Sequence, residues 1–202
     1  RPNPFLTYYF RSALKTGIVN SQFLRVNLQT NIYYKFTKKL KAKLRIWAGG
    51  FLDSTNIPKQ YFTFLSGNID PDFRNNYLIN RTADINDASV GTRQYDIGGP
   101  SLHGLVINEN GKMLGVDDWV ISANFEMNIP KIPGKPFMDA AIIPGGDSYF
   151  DFGLKKSFGP LSIIMPLYQS WDETSFVTDT DWILDRLRFS LTLSGFNARS
   201  LF

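Results

Sequence analysis

Two adjacent stretches alternate apolar and polar residues over about 13 residues each, against ~5–6 in an ordinary strand. In 24–36, Leu24, Val26, Leu28, Thr30, Ile32, Tyr34 and Phe36 share one face; Arg25, Asn27, Gln29, Asn31, Tyr33 and Lys35 share the other. In 40–52, Leu40, Ala42, Leu44, Ile46, Ala48 and Leu52 alternate with Lys41, Lys43, Arg45, Trp47 and Phe51. Successive strand side chains point to opposite faces, so each stretch reads as a two-faced strand. Lys38-Lys39 between them reads as a tight hairpin. Any half-buried sheet alternates, so length is the stronger constraint. A tilted strand crossing a bilayer needs about 9–11 residues. Tyr33, Tyr34, Phe36, Trp47 and Phe51 lie toward the strand ends, where the aromatic girdles of a membrane barrel belong.

Alternation returns downstream. Trp119, Ile121, Ala123, Phe125, Met127 and Ile129 oppose Ser122, Asn124, Glu126 and Asn128. Phe150, Phe152 and Leu154 oppose Asp151, Gly153 and Lys155. Leu187, Phe189, Leu191 and Leu193 oppose Arg186, Arg188, Ser190, Thr192 and Ser194. Weaker strand patterns fall at 5–15, 60–66, 136–144 and 161–168. The total is roughly eight to ten strands, with no convincing amphipathic helix. Lys38-Lys39, residues 131–135 and Gly159-Pro160 are short connections; 53–116 and 170–185 are long and rich in Asn, Asp, Gly and Ser. Short periplasmic turns opposite long extracellular loops are the asymmetry of outer-membrane barrels. A soluble antiparallel sandwich also alternates, but it does not explain the strand lengths.

Composition fits the same reading. No run approaches the ~18 consecutive apolar residues of a transmembrane helix. Yet 15% of the 202 residues are aromatic while mean hydropathy is −0.17. Strands with one lipid-facing side average to such values. There is no Cys, which excludes a disulfide framework and thiolate chemistry. The single histidine, His103, cannot supply a two-histidine zinc motif, and serine-type catalysis would have to run through it alone. The expectation is a non-enzyme without cofactor or metal. Two loops are rich in oxygen ligands: Asn68, Asp70 and Asp72, and Asp172, Glu173, Asp179 and Asp181. They lack EF-hand spacing and read as solvated rather than calcium-binding.

Charge is uneven. Residues 1–50 hold ten of the 22 basic residues and none of the 18 acids. Arg25, Lys35, Lys41, Lys43 and Arg45 form a stripe on one strand face. A charge on the lipid face at mid-membrane costs about 2–4 kcal/mol, so the stripe is expected to face the barrel interior, neutralised by acids of later strands. A second reading is contact with anionic lipid headgroups or lipopolysaccharide near the strand ends. Nucleic-acid binding comes third, because membrane alternation accounts better for the interleaved aromatics.

From about residue 98 onward the order of motifs resembles the bacterial surface antigen family, the outer-membrane assembly barrels of the BamA and TamA type. Gly98-Gly99-Pro100-Ser101-Leu102-His103-Gly104-Leu105 is similar to the family's GG…(V/L)RG(F/Y) segment, in a long loop folding back into the lumen. Asn124-Phe125-Glu126-Met127-Asn128-Ile129-Pro130 and Phe137-Met138-Asp139-Ala140-Ala141 resemble the two strands that follow. Phe152-Gly153-Leu154, Gly159-Pro160-Leu161 and Pro166-Leu167 resemble the next hairpin. The terminal Phe202 resembles the signal read by the barrel-assembly machinery, although Gly195-Phe196-Asn197-Ala198-Arg199 interrupts the last strand. Residues 1–97 match only the generic barrel pattern. Family barrels have sixteen strands preceded by periplasmic POTRA domains, which about two hundred residues cannot supply in full. Similar barrels in Bacteroidota are also fused to exported, metallopeptidase-like domains.

The resemblance therefore implies an all-β, antiparallel transmembrane barrel over 1–202, with a long extracellular or lumen-folded loop at about 53–116. It is either a small closed barrel or the C-terminal half of a sixteen-stranded one. A chain beginning at Arg1 reads as processed or as a fragment. The implied location is the bacterial outer membrane, and the implied role is protein assembly or translocation. The alternative is a non-catalytic anchor or structural subunit. Implied partners are outer-membrane lipid, lipopolysaccharide and other outer-membrane or periplasmic proteins. The family's loop Arg is replaced by His103, which followed by Gly104 would pin the loop inside the barrel through Asp139 or Glu126. An outward-facing solvated histidine is the plain alternative.

Overall fold

A computed structural model describes residues 5–12, 22–55, 57, 62–67, 95, 98–106, 114–171 and 176–191. Eight strands form one antiparallel sheet: β1 (Phe5–Ser12), β2 (Gln22–Lys35), β3 (Lys41–Thr55), β6 (Val120–Asn128), β7 (Lys135–Ile142), β8 (Ser148–Phe158), β9 (Leu161–Gln169) and β10 (Arg188–Leu191), in that order. β4 (Thr63–Phe64) and β5 (Gly115–Val116) pair as a small separate ribbon. The sheet curls into a half-barrel.

Registers explain the two faces. Asn31, Arg45, Asn124, Asp139, Asp151 and Gln169 are partners in turn, so one polar row crosses six strands, β2 to β9. The neighbouring row, on the opposite face, is Ile32, Leu44, Phe125, Met138, Phe152 and Tyr168. From Arg45 to Gln169 the side chains of the polar row are buried on the concave side: Arg45 is 3% exposed and Asp139 and Asp151 are 0% exposed. Large apolar side chains of the convex side are open: Leu28 42%, Ile46 38%, Ile121 47%, Met138 46% and Ile142 48%. This inverts the usual soluble pattern, in which buried charge is rare and exposed apolar patches are small. Lys156, two residues from the end of β8, is the one charged residue on the convex phase of the described strand side chains.

Connections differ in detail from the sequence reading. The first hairpin turn is wider than Lys38-Lys39. Phe36 and Leu40 leave the strands, and the Thr37 hydroxyl accepts from the Lys39 and Leu40 amides at 3.3 and 3.0 Å. Gly159, at φ 59°, forms the β8–β9 turn with Pro160. The expected strand at 60–66 shortens to β4, and β3 runs on to Thr55. The region 170–185, expected as loop, carries a short helix, α1 (Thr180–Arg186). Arg186 therefore belongs to the helix and Leu187 is its C-cap, so β10 starts only at Arg188.

A compact apolar core lies on the concave side. Trp47, Leu65, Leu102, Val106, Val116, Val120, Ala141 and Ile143 are all buried there. This corrects the girdle assignment of Trp47, which packs inward at 3% exposure. Phe51 pairs with Arg25 on the same face, under its guanidinium at 5.4 Å. Tyr33, Tyr34 and Phe36 remain exposed at the hairpin end.

Candidate functional site

The site is the segment 98–106 laid across the concave face. An irregular segment has no ladder to satisfy its backbone, so strand side chains must do so. Asp139 of β7 and Asp151 of β8 face each other in register. Their Oδ2 atoms accept from two consecutive amides, His103 and Gly104, each at 2.6 Å. Arg188 of β10 answers on the carbonyl side. Its NH1 donates to the oxygens of Leu102, His103 and Gly104 at 3.0, 3.0 and 3.1 Å, and its NH2 to Ser66 O at 2.9 Å. Charge-assisted bonds of this kind are the stronger class.

The other end of the segment is held from β3 and β6. Arg45 donates to Pro100 O at 3.2 Å, Asn124 Oδ1 at 2.8 Å and Gln29 Oε1 at 2.9 Å. Ser122 Oγ donates to Pro100 O at 3.1 Å and Asn124 Nδ2 to Ser101 O at 3.0 Å. Gly99 and Ser101 both take positive φ, 65° and 53°. Ser101 tolerates this because its hydroxyl donates to Gly98 O at 2.9 Å.

His103 is the centre of this arrangement, 1% exposed. Its ring stacks between Tyr95, at 4.6 Å, and Phe137, at 4.2 Å. Nδ1 donates to Asp139 Oδ2 at 2.7 Å. Nε2 lies 3.3 Å from Glu126 Oε1, which also accepts from Lys155 Nζ at 2.9 Å. The Tyr95 hydroxyl donates to Ser101 O at 3.3 Å. Burial, with nearby Asp139 and Glu126, pushes this phenol well above its ordinary range and keeps it a donor. Two glycines make room. A Cβ on Gly153 would meet the Phe137 ring at 2.8 Å. One on Gly104 would meet Gln169 Nε2 at 2.5 Å, Trp171 at 2.7 Å and Asp151 Oδ2 at 2.8 Å.

Beside His103 opens a cavity of about 260 Å³, bounded by Lys43, Arg45, Lys135, Lys155, Glu126 and the hydroxyls of Ser157, Ser162 and Ser190. Among the described residues no group of three His, Cys, Asp or Glu side chains is placed to hold a metal ion.

The residues singled out by sequence thus divide. His103, Gly104, Glu126 and Asp139 meet in one cluster, and Lys43 and Arg45 border the adjoining cavity. Arg25 lies elsewhere, donating to Thr63 Oγ1 at 3.0 Å and Asn27 Oδ1 at 3.2 Å. Lys35 and Lys41 face each other, exposed, at the hairpin end. Asp179 is the N-cap of α1, accepting from Trp182 N at 2.8 Å. Phe202, Asn68, Asp70, Asp72, Asp172 and Glu173 fall outside the described residues. Tyr95, Phe137, Asp151, Lys155 and Arg188 are site residues that sequence reasoning did not select. Four of them carried a signal, the same strand phase as Asp139 or Glu126. Tyr95 sits in a long aperiodic loop and carried none.

Comparison of the chain with protein-family models, with curated proteins and with solved structures finds no match.

Proposed function

We propose that the chain forms the wall of a bacterial outer-membrane β-barrel, with the segment 98–106 folded into its lumen. One observation carries this reading. The convex face of β2, β3, β6 and β7 exposes Leu28, Ile46, Ile121, Met138 and Ile142, while the concave face buries Arg45, Asp139, Asp151 and Arg188. Lipid outside and a polar interior would produce this inversion. Strand length supports it. The 14 residues of β2 rise about 45 Å, which a 45° tilt reduces to roughly 33 Å, near the ~30 Å hydrocarbon thickness. The β2–β3, β6–β7 and β8–β9 turns lie together at one end, opposite the long β3–β6 and β9–β10 connections.

Within the barrel class, we assign the chain to protein assembly or translocation at the outer membrane, on its motif order from Gly98 onward. A second reading, a non-catalytic anchor for an exported domain or partner, is favoured by the fixed internal segment. Carboxylates and guanidinium groups hold that segment on both sides. Depleting the protein in its host separates the two. Loss of several unrelated outer-membrane proteins supports assembly. An unchanged outer-membrane profile, with release of a single surface protein, supports anchoring. Recovery of the chain in the soluble fraction defeats both.

A further inference from the structure

Among the described residues, the charge lining the cavity beside His103 is unbalanced. Four cationic side chains, Lys43, Arg45, Lys135 and Lys155, border it there against one carboxylate, Glu126. Glu126 is already engaged, accepting from Lys155 at 2.9 Å and lying 3.3 Å from His103 Nε2. Arg45 is turned onto the backbone oxygen of Pro100 and the side-chain oxygens of Asn124 and Gln29. Lys43 and Lys135 have no carboxylate partner among the described residues. Lys135 also faces Lys155 directly across β7 and β8, and like charges in opposite register are unfavourable. Hydroxyl donors complete the wall. Ser157 and Ser162 bond each other at 2.8 Å, and Ser190 is register partner of Ser162.

Two ammonium groups without a carboxylate partner among the described residues, set beside serine hydroxyls, form the donor set for an oxyanion. We propose that this cavity binds a phosphate-type oxyanion, held by Lys43 and Lys135 and oriented by the serine hydroxyls. At about 260 Å³ the space lies below the roughly 300–1,000 Å³ of drug-sized ligand clefts, so it suits one phosphate group. The inference does not rest on the membrane reading, because the imbalance belongs to the cavity itself. The same chemistry could arrive as free phosphate or as a phospholipid headgroup.

The test is calorimetric titration of the full chain in neutral detergent. One arm adds inorganic phosphate; the other adds micelles doped with phosphatidic acid. Lys43→Gln and Lys135→Gln are each expected to weaken binding about tenfold or more. Lys156→Gln, on the opposite face, leaves it unchanged. Lys135 is exposed at the start of β7, so its variant retains the fold if Lys43→Gln does not. Phosphate binding weakened by the cavity variants identifies the free ion. Binding only to doped micelles, lost in the same variants, identifies the headgroup. Absence of binding in both arms, or affinity indifferent to both cavity substitutions, overturns the proposal.

Discussion

At the residue scale, the site depends on a few buried charges whose partners are backbone groups. Asp139 Oδ2 accepts from both the amide and the ring of His103. Asp139→Asn conserves shape but removes charge, and an amide nitrogen turned inward would meet two donors. A loss of about 2–4 kcal/mol is expected, read as a lower urea midpoint, with faster proteolysis within 98–106. An unchanged midpoint would show that Asp139 is not what holds the segment. Gly104→Ala acts by sterics, since its Cβ would lie 2.5 Å from Gln169 Nε2 and 2.8 Å from Asp151 Oδ2. About 1–3 kcal/mol of destabilisation follows, with the same proteolytic signature. Tyr95 gives a pH test. Its folded phenol titrates above its unfolded value, so the neutral ring's contribution is complete below about pH 10 and declines as pH rises through the folded value. Tyr95→Phe should remove that part of the alkaline loss, visible as a flatter urea midpoint above pH 10.

At the element scale, strand phase was the most legible property of the sequence. Alternation in 24–36 and 40–52 assigns faces to β2 and β3, and the registers put Arg45, Glu126 and Asp139 on one of them. The same parity already set Trp47 on the polar phase. The girdle assignment came from its place near a strand end, and the concave core overrode it. Helix α1 escaped notice because it spans only Thr180–Arg186, too short for a 3.6-residue period. Its local signals were present: Asp179 as N-cap, Asp181 in the first turn, Arg186 in the last. Asp179→Ala should cost about 1 kcal/mol, detectable as easier protease nicking between β9 and β10. The site was legible by phase where it sat on strands, and in the segment 98–106 only through the motif order that singled out His103 and Gly104. Tyr95, whose phenol donates to the backbone beside His103, is positioned by tertiary packing with no periodic trace.

For the whole molecule, the decisive property is which solvent the convex face meets. Met138 is 46% exposed near the middle of that face, flanked in register by Phe125 and Phe152. If water covers the surface, Met138→Lys is a surface change worth within about 0.5 kcal/mol. If lipid covers it, the ammonium must desolvate or snorkel, at about 2–4 kcal/mol near the midplane. Lys156 shows where a cation is tolerated, two residues from the end of β8 with its ammonium over the Phe158 ring at 5.4 Å. Phe158→Lys, at that same end, should therefore cost only about 0–1 kcal/mol. Urea titration in lipid bilayers, reading the folded fraction by gel mobility before and after heating, measures both. The membrane barrel requires a clear gap, with Met138→Lys far costlier than Phe158→Lys. Equal and small effects would mean that water covers the apolar face, and the absence of any heat-dependent mobility shift would defeat the membrane barrel.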